Sequence, residues 1–180
     1  MNKLLPSPEV LRKILRYEPE TGNLFWRERS EELFSSAGYG GAEAEAARWN
    51  ARFAGKPAMI ESNSGYKRGR IFGVRIRAHR VIWAMQTGGW PEAEIDHINC
   101  DASDNRWANL RGATASENAQ NRRRPRNNKS GYKGVSWDAQ RGLWIASITA
   151  RIGVFEDIEE AASAYAKASA MLHGQFARTE

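Results

Sequence analysis

An aspartate and a histidine stand side by side at Asp96-His97, followed by Asn109, Asn118 and arginines at 122–124 and 126. These residue types bring three capacities into one short segment. A carboxylate with amide oxygens nearby can hold a hard divalent cation, which takes oxygen ligands and keeps several waters. A neutral imidazole, with an ordinary pKa of roughly 6.5, can accept a proton from water near neutral pH. Guanidinium groups bind phosphate through paired donors. Attack of an activated water on a backbone phosphate is the chemistry such a set can perform, so the segment 94–124 implies a chain that cuts nucleic acid.

Local sequence indicates how these side chains are positioned. Residues 94–98 alternate polar and apolar as a strand does, 100–107 are rich in Asp, Ser and Asn as a loop is, and 109–111 can return as a short second strand. Thr114 and Glu117 have the spacing of a capping box, which fixes a helix start. The helix is predicted to run through Arg122 and end near Arg124, because Pro125 cannot continue it. That places Asn118 near its first turn, with Arg122 one turn later on the same face. A hairpin packed on such a helix can bring Asp96, His97 and Asn118 together.

The ordered string D-H-I-N-x-D-x-S-D-N-R-x-x-N-L-R, followed by S-E-N-x-x-N-R, resembles the HNH endonucleases of the phage and homing type, in their HNN variant. The resemblance implies a ββα-metal core at about 94–124 and a metal-dependent hydrolysis of DNA phosphodiester bonds. By position it gives His97 the role of general base, Asn109 the role of orienting it, and Asp96 and Asn118 the role of holding a divalent metal, Mg²⁺ or Mn²⁺. Asn99, Asp104, Asn105 and Asn121 also lie in the motif and are read as loop hydrogen-bonding residues.

Composition bounds the reading. A formal charge of +6 on 180 residues points to a polyanionic partner. The net charge is +1 over 1–60, +6 over 61–130 and −1 over 131–180, so the excess surrounds the motif. One cysteine, Cys100, excludes an internal disulfide and a multi-cysteine zinc knuckle, so no structural zinc is expected, and it suits a reducing compartment. The N-terminus lacks the apolar core of a signal peptide and no apolar run has the length of a membrane span. A soluble, cytoplasmic protein of a bacterial or phage-infected cell is expected, with double-stranded DNA as partner and no membrane. Oligomeric state is left open.

Upstream, Ser7-Pro8-Glu9 begins a helix with Val10, Leu11, Ile14 and Leu15 on its buried stripe. A turn at 18–22 leads to a strand at 24–26, residues 30–41 read as loop, and 42–53 reads as helix. The segment YEPETGNLFW at 17–26 and A-H-R-V-I-W at 78–83 resemble segments that precede the nuclease hairpin in the same family. Residues 66–77 alternate basic and apolar around Phe72-Gly73, as a hairpin with one charged face does. Lys67, Arg68, Arg70, Arg75 and Arg77 are expected to form a phosphate-tracking strip there, and Arg122, Arg123, Arg124 and Arg126 to contact phosphate beyond the motif.

Residues 132–178 change character. Strands are predicted at 132–137, 143–149 and 151–155, then a helix capped by Asp157 whose Ile158, Ala161, Ala162, Tyr165, Ala168 and Leu172 face the sheet. The order Y-K-G-V, G-x-W-x-A-x-I, G-x-F and E-E-A-A-x-A-Y resembles an AP2/ERF-type DNA-binding domain, which implies DNA contacts from Lys133, Trp137, Arg141, Trp144, Ser147 and Arg151. The fold expected is therefore α+β: an HNH domain at 1–121, a basic linker at 122–131, and a three-stranded antiparallel sheet with one helix at 132–180. Other classes that fit the composition are a DNA-binding protein with an inactive nuclease centre, using the AP2-like module, and a basic RNA-binding module.

Overall fold

A computed structural model describes residues 5–34 and 40–179, so the middle of the expected loop at 30–41 lies outside the described residues. The chain divides into two compact units, residues 1–112 and 113–180, each with its own core, and its mix of helices with antiparallel sheets is α+β as expected.

In the first unit, helix α1 (Pro8–Ile14) starts on Ser7, whose hydroxyl accepts from the Val10 amide, with proline at the first helical position. The chain then turns directly into strand β1 (Leu15–Glu18), which pairs antiparallel with β2 (Asn23–Trp26). The sequence reading had placed Leu15 on the helix stripe. It is fully buried as expected, but as the first residue of a strand. Helix α2 (Gly41–Phe53) follows, and β3 (Pro57–Ala58) completes the sheet in the order β1-β2-β3.

A second sheet comprises β4 (Glu61–Asn63), β5 (Tyr66–Ile71) and β6 (Val74–Arg77). The β5–β6 turn has positive φ at both Phe72 (49°) and Gly73 (75°), the twist that a two-residue hairpin needs. Helix α3 (Ala78–Thr87) packs on α1 and on this hairpin, and Gly88 ends it in a left-handed conformation. Leu11, Ile14, Leu15, Ile71, Val81 and Ile82 are completely buried in this core. Each contributes about 1.5–3 kcal/mol of transfer free energy. Strands β7 (Glu94–His97) and β8 (Leu110–Ala113) form the two-stranded ribbon on which the acid and the imidazole sit, with Ile95 and Leu110 anchoring it to the core.

In the second unit, helix α4 (Ala115–Gln120) opens with the full capping box of Thr114 and Glu117. It is shorter than expected, so Arg122 lies beyond it. The Arg122 amide bonds to the Ala119 carbonyl in a tightened last turn, around a buried Asn121. Strands β9 (Val135–Asp138), β10 (Leu143–Ser147) and β11 (Arg151–Phe155) form an antiparallel meander, and helix α5 (Ile158–His173) packs across it through Ala161 and Tyr165. Gly134 has φ +71° and lies against the Tyr165 ring, where any side chain would clash. Leu172, expected to face the sheet, is 65% exposed, while Phe176 in the turn after α5 is buried in the same unit. Among the described residues no helix is long and apolar enough to cross a membrane.

Candidate active site

Strand β7 carries Asp96 and His97 next to each other, 4% and 5% exposed. Adjacent strand residues project to opposite sides, and the two side chains have separate partners. Across the ribbon, Arg111 of β8 donates from Nε to Asp96 Oδ2 at 2.8 Å. Its Nη2 lies 2.7 Å from the same oxygen, close enough for an ion pair though not aligned for a second hydrogen bond. Both contacts converge on one carboxylate oxygen, which fixes the direction of the carboxylate. A carboxylate this buried needs such a partner to offset its desolvation.

His97 is held differently. Its Nε2 is 3.0 Å from Asn105 Oδ1. With the Asn105 carboxamide oxygen as acceptor, the matching tautomer has its proton on Nε2 and Nδ1 as the basic nitrogen. The ring meets His79 edge to face at 5.1 Å and Tyr66 at 5.9 Å. Burial lowers the His79 pKa to about 3, with help from His97, Arg77 and Arg80, so His79 is neutral at physiological pH and adds no positive charge beside His97.

The Asn105 carboxamide is fixed by its backbone. Asn105 is 1% exposed, and its carbonyl accepts from the Tyr17 hydroxyl at 2.8 Å. Burial, with Asp104 and Glu20, raises the Tyr17 pKa to about 12, so this hydroxyl stays a donor. The Trp107 amide donates to the Pro19 carbonyl at 3.2 Å. Gly22 has φ +71°, and a Cβ there would lie 2.5 Å from the Arg106 nitrogen and the Asn105 carbonyl carbon. The β1–β2 turn thus presses on the segment that orients His97, and only glycine permits that approach.

Asn109 staples the loop between the strands. Its Oδ1 accepts from the Asn99 amide at 3.0 Å, and its Nδ2 donates to Asn99 Oδ1 at 3.0 Å and to the Asp104 carbonyl at 2.8 Å. Asp104 also accepts from Asn99 Nδ2 at 2.8 Å, and Arg106 beside it lowers its pKa to about 2. The amide placed on the imidazole is therefore that of Asn105, which the sequence reading had treated as loop polarity. The side chain of Asn109 lies one step further out, on Asn99 and the Asp104 carbonyl. Cys100 takes φ 57° in that loop, a left-handed conformation.

The remaining predicted residues separate into groups. Asn118 lies half-buried on α4 in the second unit. Arg68, Arg70, Arg75 and Arg77 share one face of the β5–β6 hairpin, with Arg68 opposite Arg77 and Arg70 opposite Arg75. Lys67 points to the other face and donates to Asn23 Oδ1 at 3.3 Å, so the expected strip has four members rather than five. Arg122, Arg123, Arg124 and Arg126 are exposed after α4.

Lys133 Nζ donates to the carbonyls of Gln120 and Arg122 at 2.5 and 2.8 Å, completing the end of α4. Trp144 packs against the second core, with the ring of Trp137, 51% exposed, tilted against it at 4.9 Å. Arg141 is 3.8 Å from Asp138, Ser147 is half-buried in β10, and Arg151 is exposed at the start of β11.

Residues 77–120 match the family model described as HNH endonuclease, a span that contains α3, the β7–β8 ribbon and α4. Protein 3.8 of Escherichia phage T7 is 35% identical over 107 residues, which cover 57% of this chain and 88% of that protein. No solved structure matches. The strand-borne Asp-His pair, the loop stapled between two strands and the capped helix lie within the matched span, and the chain belongs to the HNH endonuclease family as a homologue of T7 protein 3.8.

Proposed function

We propose that the protein is a metal-dependent DNA endonuclease in which His97 is the general base and Asp96 and Asn118 hold the metal. The observation that supports this reading is the His97 ring: buried, packed by two aromatic rings, and with Nε2 3.0 Å from the Asn105 carboxamide oxygen. In the reaction, Nδ1 removes a proton from water as the water oxygen attacks phosphorus. The imidazolium that forms keeps its Nε2–H on the Asn105 oxygen, and Asn109 keeps the loop carrying Asn105 from shifting.

The donor set fits a hard cation. Asp96 offers a carboxylate held in place by Arg111, and Asn118 keeps the amide ligand role that the motif implies. Among the described residues no three His, Cys, Asp or Glu side chains gather, so further oxygens would come from water and substrate phosphate, as suits Mg²⁺ or Mn²⁺. Such an ion, when bound, supplies charge stabilisation at the phosphate and the leaving 3′ oxygen.

Double-stranded DNA is the proposed substrate, tracked by the arginine face of the β5–β6 hairpin and by Arg122, Arg123, Arg124 and Arg126. The second unit, with its AP2-like order of three strands and a helix, is proposed to add DNA contacts through Trp137 and Arg151. Incubating supercoiled plasmid with the protein in Mg²⁺, and again in EDTA, tests the reading. Nicked or linear product that disappears in EDTA is expected. Binding without breakage in any divalent ion would instead identify an inactive DNA-binding protein.

A further inference from the structure

The β5–β6 hairpin contains an arrangement that folding alone disfavours. Arg68 faces Arg77 and Arg70 faces Arg75 on one side of an antiparallel pair, where like charges directly opposite each other are destabilising. Among the described residues these arginines make one ion pair, Arg68 Nε with Glu61 of β4 opposite it at 3.6 Å. That Nε is buried with no hydrogen-bond partner. Asn63, Tyr66, Arg68, Arg75, Ile76 and Arg77 line a pocket of about 210 Å³.

Helix α3 begins at the Arg77 end of the pocket with no side-chain cap, so its positive pole lies there too. The Arg77 guanidinium lies over the Tyr66 ring at 4.4 Å, and the His97 ring is 5.9 Å from the same ring. The pocket is one aromatic ring away from the proposed base.

We infer that this pocket is a subsite for one backbone phosphate of the nucleic-acid substrate, within a few nucleotides of the bond that is cut. The inference deepens the endonuclease reading and rests on it for the position of that bond. Arg75 and Arg77 supply charge from β6, Arg68 turns its unsatisfied donor to the same anion, and Asn63 adds an amide. Occupancy by phosphate relieves the repulsion between opposed arginines. Tyr66 couples the seated phosphate to the His97 ring, so the subsite sets the register of the strand against the base.

The full chain is titrated in EDTA with a short fluorescent duplex of mixed sequence over a range of salt, as wild type and as Arg75→Gln, Arg77→Gln and Arg77→Lys. Each glutamine variant is expected to weaken binding to all sequences alike and to lower the slope of log K against log salt by about 0.9 for the lost phosphate contact. Arg77→Lys keeps the charge and retains the slope, as does the control Lys13→Gln on α1. The thermal midpoint of Arg75→Gln should rise, because repulsion with Arg70 is removed, whereas a purely structural arginine would lower it. A wild-type slope in both glutamine variants overturns the inference.

Position is read with duplexes carrying one neutral methylphosphonate linkage, moved stepwise around the mapped cleavage point. Wild type should lose affinity at one linkage beside that point, and Arg77→Gln should lose no more there. Equal losses in both proteins at every linkage overturn the assignment. A reduced slope in a protein that never cleaves would keep the phosphate pocket and remove the endonuclease reading, while cleavage with an unchanged slope would do the reverse.

Discussion

The region around His97 and the sheet of the second unit are both small antiparallel structures with charged loops, yet they are tied together differently. Around His97 the ties span the chain: Tyr17 reaches Asn105, Gly22 makes room for it, and Arg111 crosses the ribbon to Asp96. In the β9–β11 sheet they are shorter, the longest side-chain hydrogen bond there among the described residues being that of the Tyr132 hydroxyl to Glu159, 27 residues on. Lys133 closes the helix just before it, Arg141 lies near Asp138 in the adjoining strand, and the buried cluster under the sheet is Val135, Ala146, Ala161 and Tyr165. The longest ties, from Tyr17 to Asn105, therefore bear on the His97 loop in the first unit.

The largest contrast should come from Arg111. Replacing it with alanine strands the Asp96 carboxylate in a buried site, and chemical denaturation should show a loss of about 3–5 kcal/mol. A loss near zero would mean that the ribbon is as forgiving as the outer sheet. Gly22→Ala comes next: left-handed backbone costs a residue with a Cβ about 1–2 kcal/mol, and the contact with Asn105 adds to it. Single-turnover cleavage should fall by roughly 100-fold, as for a displacement near 1 Å, while affinity for DNA in EDTA is retained. Equal losses in both would remove the link from Gly22 to His97.

Acid provides a graded test. His79 titrates at about 3 in the fold against an ordinary 6.5, so the unfolded chain binds more protons between these values. Its contribution is whole above pH 6.5 and is lost as pH falls toward 3, at up to about 1.4 kcal/mol per pH unit. Asp104, lowered to about 2, adds a loss in the same direction but only below its ordinary carboxylate range. His79→Gln should flatten the profile of stability between pH 6.5 and 4, and an unchanged profile would contradict the burial argument. The smallest effect is expected from Arg141→Gln in the second unit. Its exposed pairing with Asp138 should change stability by no more than about 0.5 kcal/mol.

What the sequence made legible follows the same division. The capping box of α4 and the turn at Phe72-Gly73 were readable because each is fixed by residues within a few positions. Asp96, His97 and Asn109 were readable because their order forms a motif. Asn105 was not: its bond to His97 depends on a loop fold, and that fold depends on Tyr17, 88 residues away. The string at 17–26 was noticed, but nothing local in it says that a tyrosine and a glycine bear on a loop this distant. Arg111 was read as part of a strand, since pairing with Asp96 requires knowing the register of β7 on β8. The fourfold rather than fivefold arginine face follows from strand alternation and was available in principle from the 66–77 pattern.

The most direct measurement is single-turnover cleavage of plasmid in Mg²⁺ by His97→Ala beside wild type, with duplex binding measured in EDTA for both. General-base loss should slow cleavage by about 10²–10⁴-fold at unchanged affinity. Cleavage by His97→Ala at the wild-type rate would contradict the assignment of this imidazole as the base.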